Sequence, residues 1–103
     1  MTIATWNLER LKHKKNLNHI LDAIKDINAD ILILTEYDEH VVLDYPYREA
    51  TEFIQEESFG EKLNIIYKPT ERRVKIFSRY EIVKKIETFN KHTSVCVELK
   101  TPM

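Results

Sequence analysis

Three segments in succession constrain the fold more than any other feature of the chain: a short strand-like stretch, an amphipathic helix and a fully apolar run. Ile3-Ala4-Thr5-Trp6-Asn7-Leu8 is rich in β-branched and aromatic residues and reads as a strand. Leu17, Ile20, Leu21, Ile24 and Ile27 then recur at helical spacing, with Asn18, Asp22, Lys25 and Asp26 between them. That pattern predicts one apolar stripe on a helix, with Asn16 as its N-cap and Asn28 as a left-handed stop. Ile31-Leu32-Ile33-Leu34 has no polar alternation, as expected for a strand covered on both faces. Strand, helix and buried strand predict a βαβ unit with two parallel strands and a right-handed crossover.

The remainder is less periodic. Arg10 to Lys15 reads as a loop or frayed helix start. Glu39 to Glu57 reads as an irregular connection containing Tyr45-Pro46-Tyr47 and a short helix near Thr51 to Glu57. Leu63 to Tyr67, Val74 to Ser78 and Ser94 to Leu99 read as further strands, and Ile82 to Ile86 as an edge strand. The expected class is α/β, with one mixed sheet and a helix on one face. At 103 residues the chain is the size of one domain, 1–103.

Composition narrows the chemistry. The single glycine, Gly60, cannot supply a Walker loop, a dinucleotide fingerprint or a nucleophile elbow, each of which needs at least two glycines. The single cysteine, Cys96, excludes an internal disulfide and any Cys-x-x-Cys zinc site, and reads as a small buried residue. Sixteen Lys and Arg against seventeen Asp and Glu give a net charge of -1, which argues against a polybasic, histone-like partner. No apolar run has the length of a membrane span, and Met1 to Trp6 has no signal-peptide pattern, so the expected location is cytoplasmic.

In a parallel pair, ligands gather at the carboxyl ends of the strands. Asn7 lies near the carboxyl end of the first strand and Glu36 just past that of the second, so both are expected on one rim of the sheet. A carboxylate there suits Mg²⁺ or Mn²⁺, and an amide beside it can donate to a phosphate oxygen or coordinate the metal. A strand end beside a solvated acidic turn explains the same two residues without chemistry. Arg10, Lys12, Lys14 and Lys15, with Arg72, Arg73 and Arg79, could add contacts to phosphate. His40 follows Asp38 and Glu39 and reads as part of a solvated loop.

Ala4-Thr5-Trp6-Asn7-Leu8-Glu9-Arg10, followed by Ala29-Asp30-Ile31-Leu32-Ile33-Leu34-Thr35-Glu36, resembles the endonuclease/exonuclease/phosphatase (DNase I-like) superfamily. Val74-Lys75-Ile76-Phe77-Ser78-Arg79 is similar to a later strand of that family. The resemblance implies a magnesium- or manganese-dependent hydrolase of phosphate esters, either a nuclease or another phosphodiesterase or phosphatase. Asn7 matches the active-site asparagine and Glu36 the metal-binding glutamate, which makes both catalytic and metal-binding candidates. Thr35 stands where the family has glutamine.

The resemblance reaches only the family's N-terminal half. Its downstream Asp-x-Asn and Asp-His motifs have no counterpart: Asp26-Ile27-Asn28 lies on the helix, and His13, His19, His40 and His92 are never preceded by Asp. The resemblance therefore implies half of a four-layer α/β/β/α sandwich, carrying the first metal and phosphate motifs and inactive alone. The sheet face that a second half would cover should expose apolar side chains, inviting that half or a second copy. A non-catalytic interaction or assembly module on the same half fold is the alternative.

Overall fold

The computed structural model describes residues 1–12, 14–54 and 67–101. Their regular elements are β1 (Ile3–Asn7), α1 (Leu17–Ile27), β2 (Ile31–Asp38), β3 (Tyr47–Ala50), β4 (Glu71–Ser78), β5 (Glu81–Ile86) and β6 (Cys96–Lys100). Short 3₁₀ turns at Glu9–Leu11 and Lys14–Asn16 lead into α1. The main sheet has the order β1-β2-β4-β3. β1 and β2 are parallel, whereas β4 runs antiparallel to both β2 and β3. The chain is thus mixed α/β, with a mixed sheet and one helix among the described residues.

The helix forms where the apolar stripe predicts it. Ile24 is 3% exposed, and Leu17, Ile20 and Leu21 pack partly buried against the same core. Ile27 departs from the expectation and is 46% exposed. It is the last residue of the helix, at the end of the stripe. Asn28 ends the helix in the left-handed region (φ 50°, ψ 49°), and its N–H donates to the Ile24 carbonyl. Asn16 occupies the N-cap position but its side chain makes no capping hydrogen bond.

Residues paired across neighbouring strands share a face, so the register sorts the sheet into two sides. Ala4 and Trp6 of β1, Leu32 and Leu34 of β2 and Phe77 of β4 belong to the core that includes Ile24. Tyr37 and Tyr45 bring their rings to 5.9 Å and 5.7 Å from that of Phe77. Burying a tyrosine requires a partner for its hydroxyl. Tyr45 donates to the Ala29 carbonyl at 2.8 Å and Tyr37 to that of Val41. The other side carries Ile3, Thr5 and Asn7 beside Ile31, Ile33 and Thr35.

Several expectations need correction. The segment around Tyr45-Pro46-Tyr47 is partly regular, because Tyr47–Ala50 pairs with β4 as an edge strand. It was hidden because Arg48 and Glu49 break the apolar pattern. Thr51 to Ile54 are not helical, and the rest of that expected helix lies outside the described residues. Of the expected strand Leu63 to Tyr67, residues Leu63 to Ile66 also lie outside them. β5 and β6 pair with each other as a separate two-stranded sheet, so the described strands form two sheets and not one. Cys96, paired with Ile86 in that two-stranded sheet, is exposed and not the small buried residue expected.

Candidate functional site

The register brings the two candidate residues to one rim. Asn7, the last residue of β1, is the partner of Thr35 on β2, so Glu36 stands one residue beyond it along the neighbouring strand. Both side chains are exposed. The ladder continues past this point, since the Leu8 N–H donates to the Thr35 carbonyl at 3.0 Å. Glu36 therefore lies inside β2, not just past its end as the sequence suggested.

Backbone strain concentrates here. Glu36 has φ 48°, and Glu9, Arg10 and Leu11 have φ 50°, 55° and 60°. A residue with a Cβ in the left-handed region costs about 1–2 kcal/mol. Four such residues, Glu36 itself and three just after Asn7's strand, lie at this rim, where a glycine would relieve each of them. The Asn7 side chain helps to hold the first of these turns, because its Oδ1 accepts the Glu9 N–H at 2.8 Å. Such strain persists only where surrounding contacts over-determine it, and it clusters at functional sites.

Arg10 supplies part of that support. Its Nε and Nη2 donate to Glu71 Oε1 and Oε2 at 2.7 Å and 3.1 Å, tying the turn after β1 to the start of β4. Glu71 also accepts the Lys68 N–H at 2.6 Å. The guanidinium lies over the Tyr67 ring, 4.5 Å from its centroid. The Glu71 hydrogen bonds hold Arg10 protonated above its ordinary range, and the nearby charge of Glu36 adds to the effect. The basic residues foreseen as phosphate contacts are thus partly committed to ion pairs: Arg72 donates to Glu39 Oε1 at 2.5 Å, and Arg79 to Asn28.

Sequence pattern did not reveal a carboxylate–imidazole pair at the same end of β2, its carboxylate buried and its imidazole exposed. Asp38 is the last residue of that strand and is fully buried. Its Oδ1 accepts the His40 N–H at 2.9 Å and stands 2.6 Å from His40 Nδ1. Burial alone would push the Asp38 carboxyl up, but these His40 hydrogen bonds outweigh it and hold the carboxyl below its ordinary range. The spacing Asp-x-His was visible, but nothing local showed that the carboxylate would be enclosed.

The donor set bears on a metal. Glu36 offers an exposed carboxylate, and Asn7 Oδ1 keeps one lone pair beyond the bond from Glu9. No group of three or more His, Cys, Asp or Glu side chains converges among the described residues. One carboxylate and one amide suit a weakly held Mg²⁺ that keeps most of its waters, and not a dedicated protein cage. No helix among the described residues is long and apolar enough to cross a membrane. No protein-family model, curated protein or solved structure matches the chain.

Proposed function

We propose that the chain carries the first metal and phosphate motifs of a divalent-metal-dependent phosphoesterase, built on half of a four-layer α/β/β/α sandwich with a βαβ opening. The observation that carries this reading is the juxtaposition of Asn7 and a strained Glu36 on one rim of a parallel strand pair. Glu36 holds Mg²⁺ or Mn²⁺, and Asn7 orients the phosphate or a water beside it. An ion held there would supply charge stabilisation to the phosphate oxygens of the ester. The substrate is a phosphate ester, with a nucleic acid the leading class because Arg73, Lys12 and Lys15 are exposed around the chain's basic segments.

The test is titration of the purified chain with Mn²⁺, followed by electron paramagnetic resonance, against Glu36→Ala and Asn7→Ala. Binding that is weak and lost in Glu36→Ala supports the reading. Binding unchanged in Glu36→Ala removes it.

A second reading, an interaction module, draws on the sheet face away from α1. Ile3 is 62% exposed and Tyr47 39% exposed at opposite ends of a row whose two middle residues, Ile31 and Ser78, are buried. A concentration-dependent dimer in sedimentation equilibrium, lost in Ile3→Lys, would favour this module.

A further inference from the structure

We infer that the hollow beside β3 and β4 is a binding site for a small amphipathic monoanion, a carboxylate that carries one apolar ring. The inference goes beyond the phosphoesterase reading and does not depend on it, since neither Asn7 nor Glu36 lines the hollow. Two adjoining cavities form it. One, of about 300 Å³, has a lining made almost wholly of charged side chains from β3, β4 and β5. The other, of about 150 Å³, is walled by Tyr37, Val41, Val42, Leu43 and Phe77. Glu39, Arg48 and Lys75 line both, so a charged chamber meets an apolar one at these three side chains.

The register puts two cations at that junction. Arg48 pairs with Phe77 and Ala50 with Lys75, so Arg48 and Lys75 are diagonal neighbours on the face that carries Phe77. Such neighbours stand about 7–8 Å apart, close enough for two long side chains to reach one anion. Lys75 is only 8% exposed, and its ammonium lies 4.9 Å and 5.3 Å from the ring centroids of Tyr37 and Phe77. It donates to both oxygens of Glu39, at 3.2 Å and 3.0 Å. Glu39 Oε1 also accepts Arg72 Nε at 2.5 Å, so one carboxylate faces two cations. Arg48 is exposed, and its guanidinium has no ion pair or hydrogen bond among the described residues.

Charge and shape then select the ligand. Four basic side chains line the larger cavity: Arg48, Arg72, Lys75 and Lys85. Three carboxylates, Glu39, Glu49 and Glu52, answer them, which leaves one positive charge in excess. That excess suits a single negative charge, and a planar carboxylate fits the guanidinium fork of Arg48 at two points. Lys75 keeps one N–H beyond its two bonds to Glu39, enough for one ligand oxygen. A phosphate dianion would bring a second charge against Glu39 with no cation to offset it. The smaller cavity is large enough for a benzene-sized ring. Val42, 83% exposed at its wall, is an apolar side chain that such a ring would cover.

The test is titration of the full ¹⁵N-labelled chain with phenylacetate, followed through its backbone amide resonances. Phenylacetamide, which keeps the ring without the charge, and acetate, which keeps the charge without the ring, are titrated alongside. Phenylacetate should give saturable shifts centred on Val41, Val42, Leu43, Arg48 and Lys75. The Kd of either comparison compound should be at least about tenfold higher. Arg48→Gln should raise the Kd for phenylacetate at least about tenfold, and Val42→Ser about fivefold. Both side chains are exposed, so the variants keep the core, and the three-compound comparison on the unaltered chain stands without them. Absence of saturable shifts overturns the inference, as do shifts centred on another surface. Equal binding of phenylacetamide or of acetate also overturns it, and so does a Kd that Arg48→Gln leaves unaltered. None of these results bears on Mn²⁺ binding at Glu36.

Discussion

Arg10 and Glu71, 61 positions apart in sequence, meet in a two-point ion pair in which the carboxylate is 1% exposed and the guanidinium 27%. The asymmetry sets the expected cost of breaking it. Arg10→Ala leaves a buried carboxylate that keeps, among the described residues, the Lys68 N–H, and should destabilise the chain by about 2–4 kcal/mol. Glu71→Gln keeps an acceptor for Arg10 and should cost less. Urea denaturation of the two variants checks the order, and a loss below about 0.5 kcal/mol in Arg10→Ala would show that the pair does not hold the turn.

The helix offers a matched comparison of two isoleucines one turn apart. Ile24→Ala should cost about 2–5 kcal/mol, since Ile24 is buried against Leu32 and Leu34 in the core. Ile27→Ala should change stability by less than about 1 kcal/mol, because the side chain is nearly half exposed and alanine favours the helix. Equal losses at the two sites in thermal denaturation would mean that the helix is rotated from its described packing.

Glu36 should separate stability from binding. In the left-handed region glycine avoids the Cβ clash that alanine retains, so Glu36→Gly should be more stable than Glu36→Ala by about 1 kcal/mol. Both should lose Mn²⁺ binding. An alanine variant as stable as the glycine one would show that the strain at this position is not kept in solution.

The network at Glu39 predicts a loss of stability in acid. Burial alone pushes the Glu39 carboxyl up, but hydrogen bonds and charge from Lys75 and Arg72 outweigh it and bring it below its ordinary value of 4.5. The folded chain therefore binds fewer protons than the unfolded one. The contribution is full above pH 4.5 and disappears as pH falls through the folded value. Thermal denaturation at stepwise lower pH should show Tm falling below that point, with a shallower fall in Glu39→Gln. Identical profiles would mean that another carboxylate controls acid stability.

Local pattern was enough for β1, α1 and β2 because each buries a continuous apolar set. The Leu17–Ile24 stripe and the Ile31–Leu34 run leave few ways to keep apolar surface from water, and Asn28 adds a stop whose backbone preference is its own. The same pattern put Asn7 and Glu36 near one another, because parallel pairing aligns strand ends. Tertiary structure decided the rest. β3 exists because Tyr47–Ala50 finds β4 to pair with, although its own residues carry no strand period. Asp38 is fully buried, with Lys68 of a distant segment 3.8 Å from its carboxylate, so the setting of its contact with His40 depends on enclosure, which adjacency in sequence does not reveal. The left-handed backbone at Glu36 is likewise imposed from outside. Glutamate has no preference for that conformation, and only the contacts of the surrounding strands and turns can hold it there.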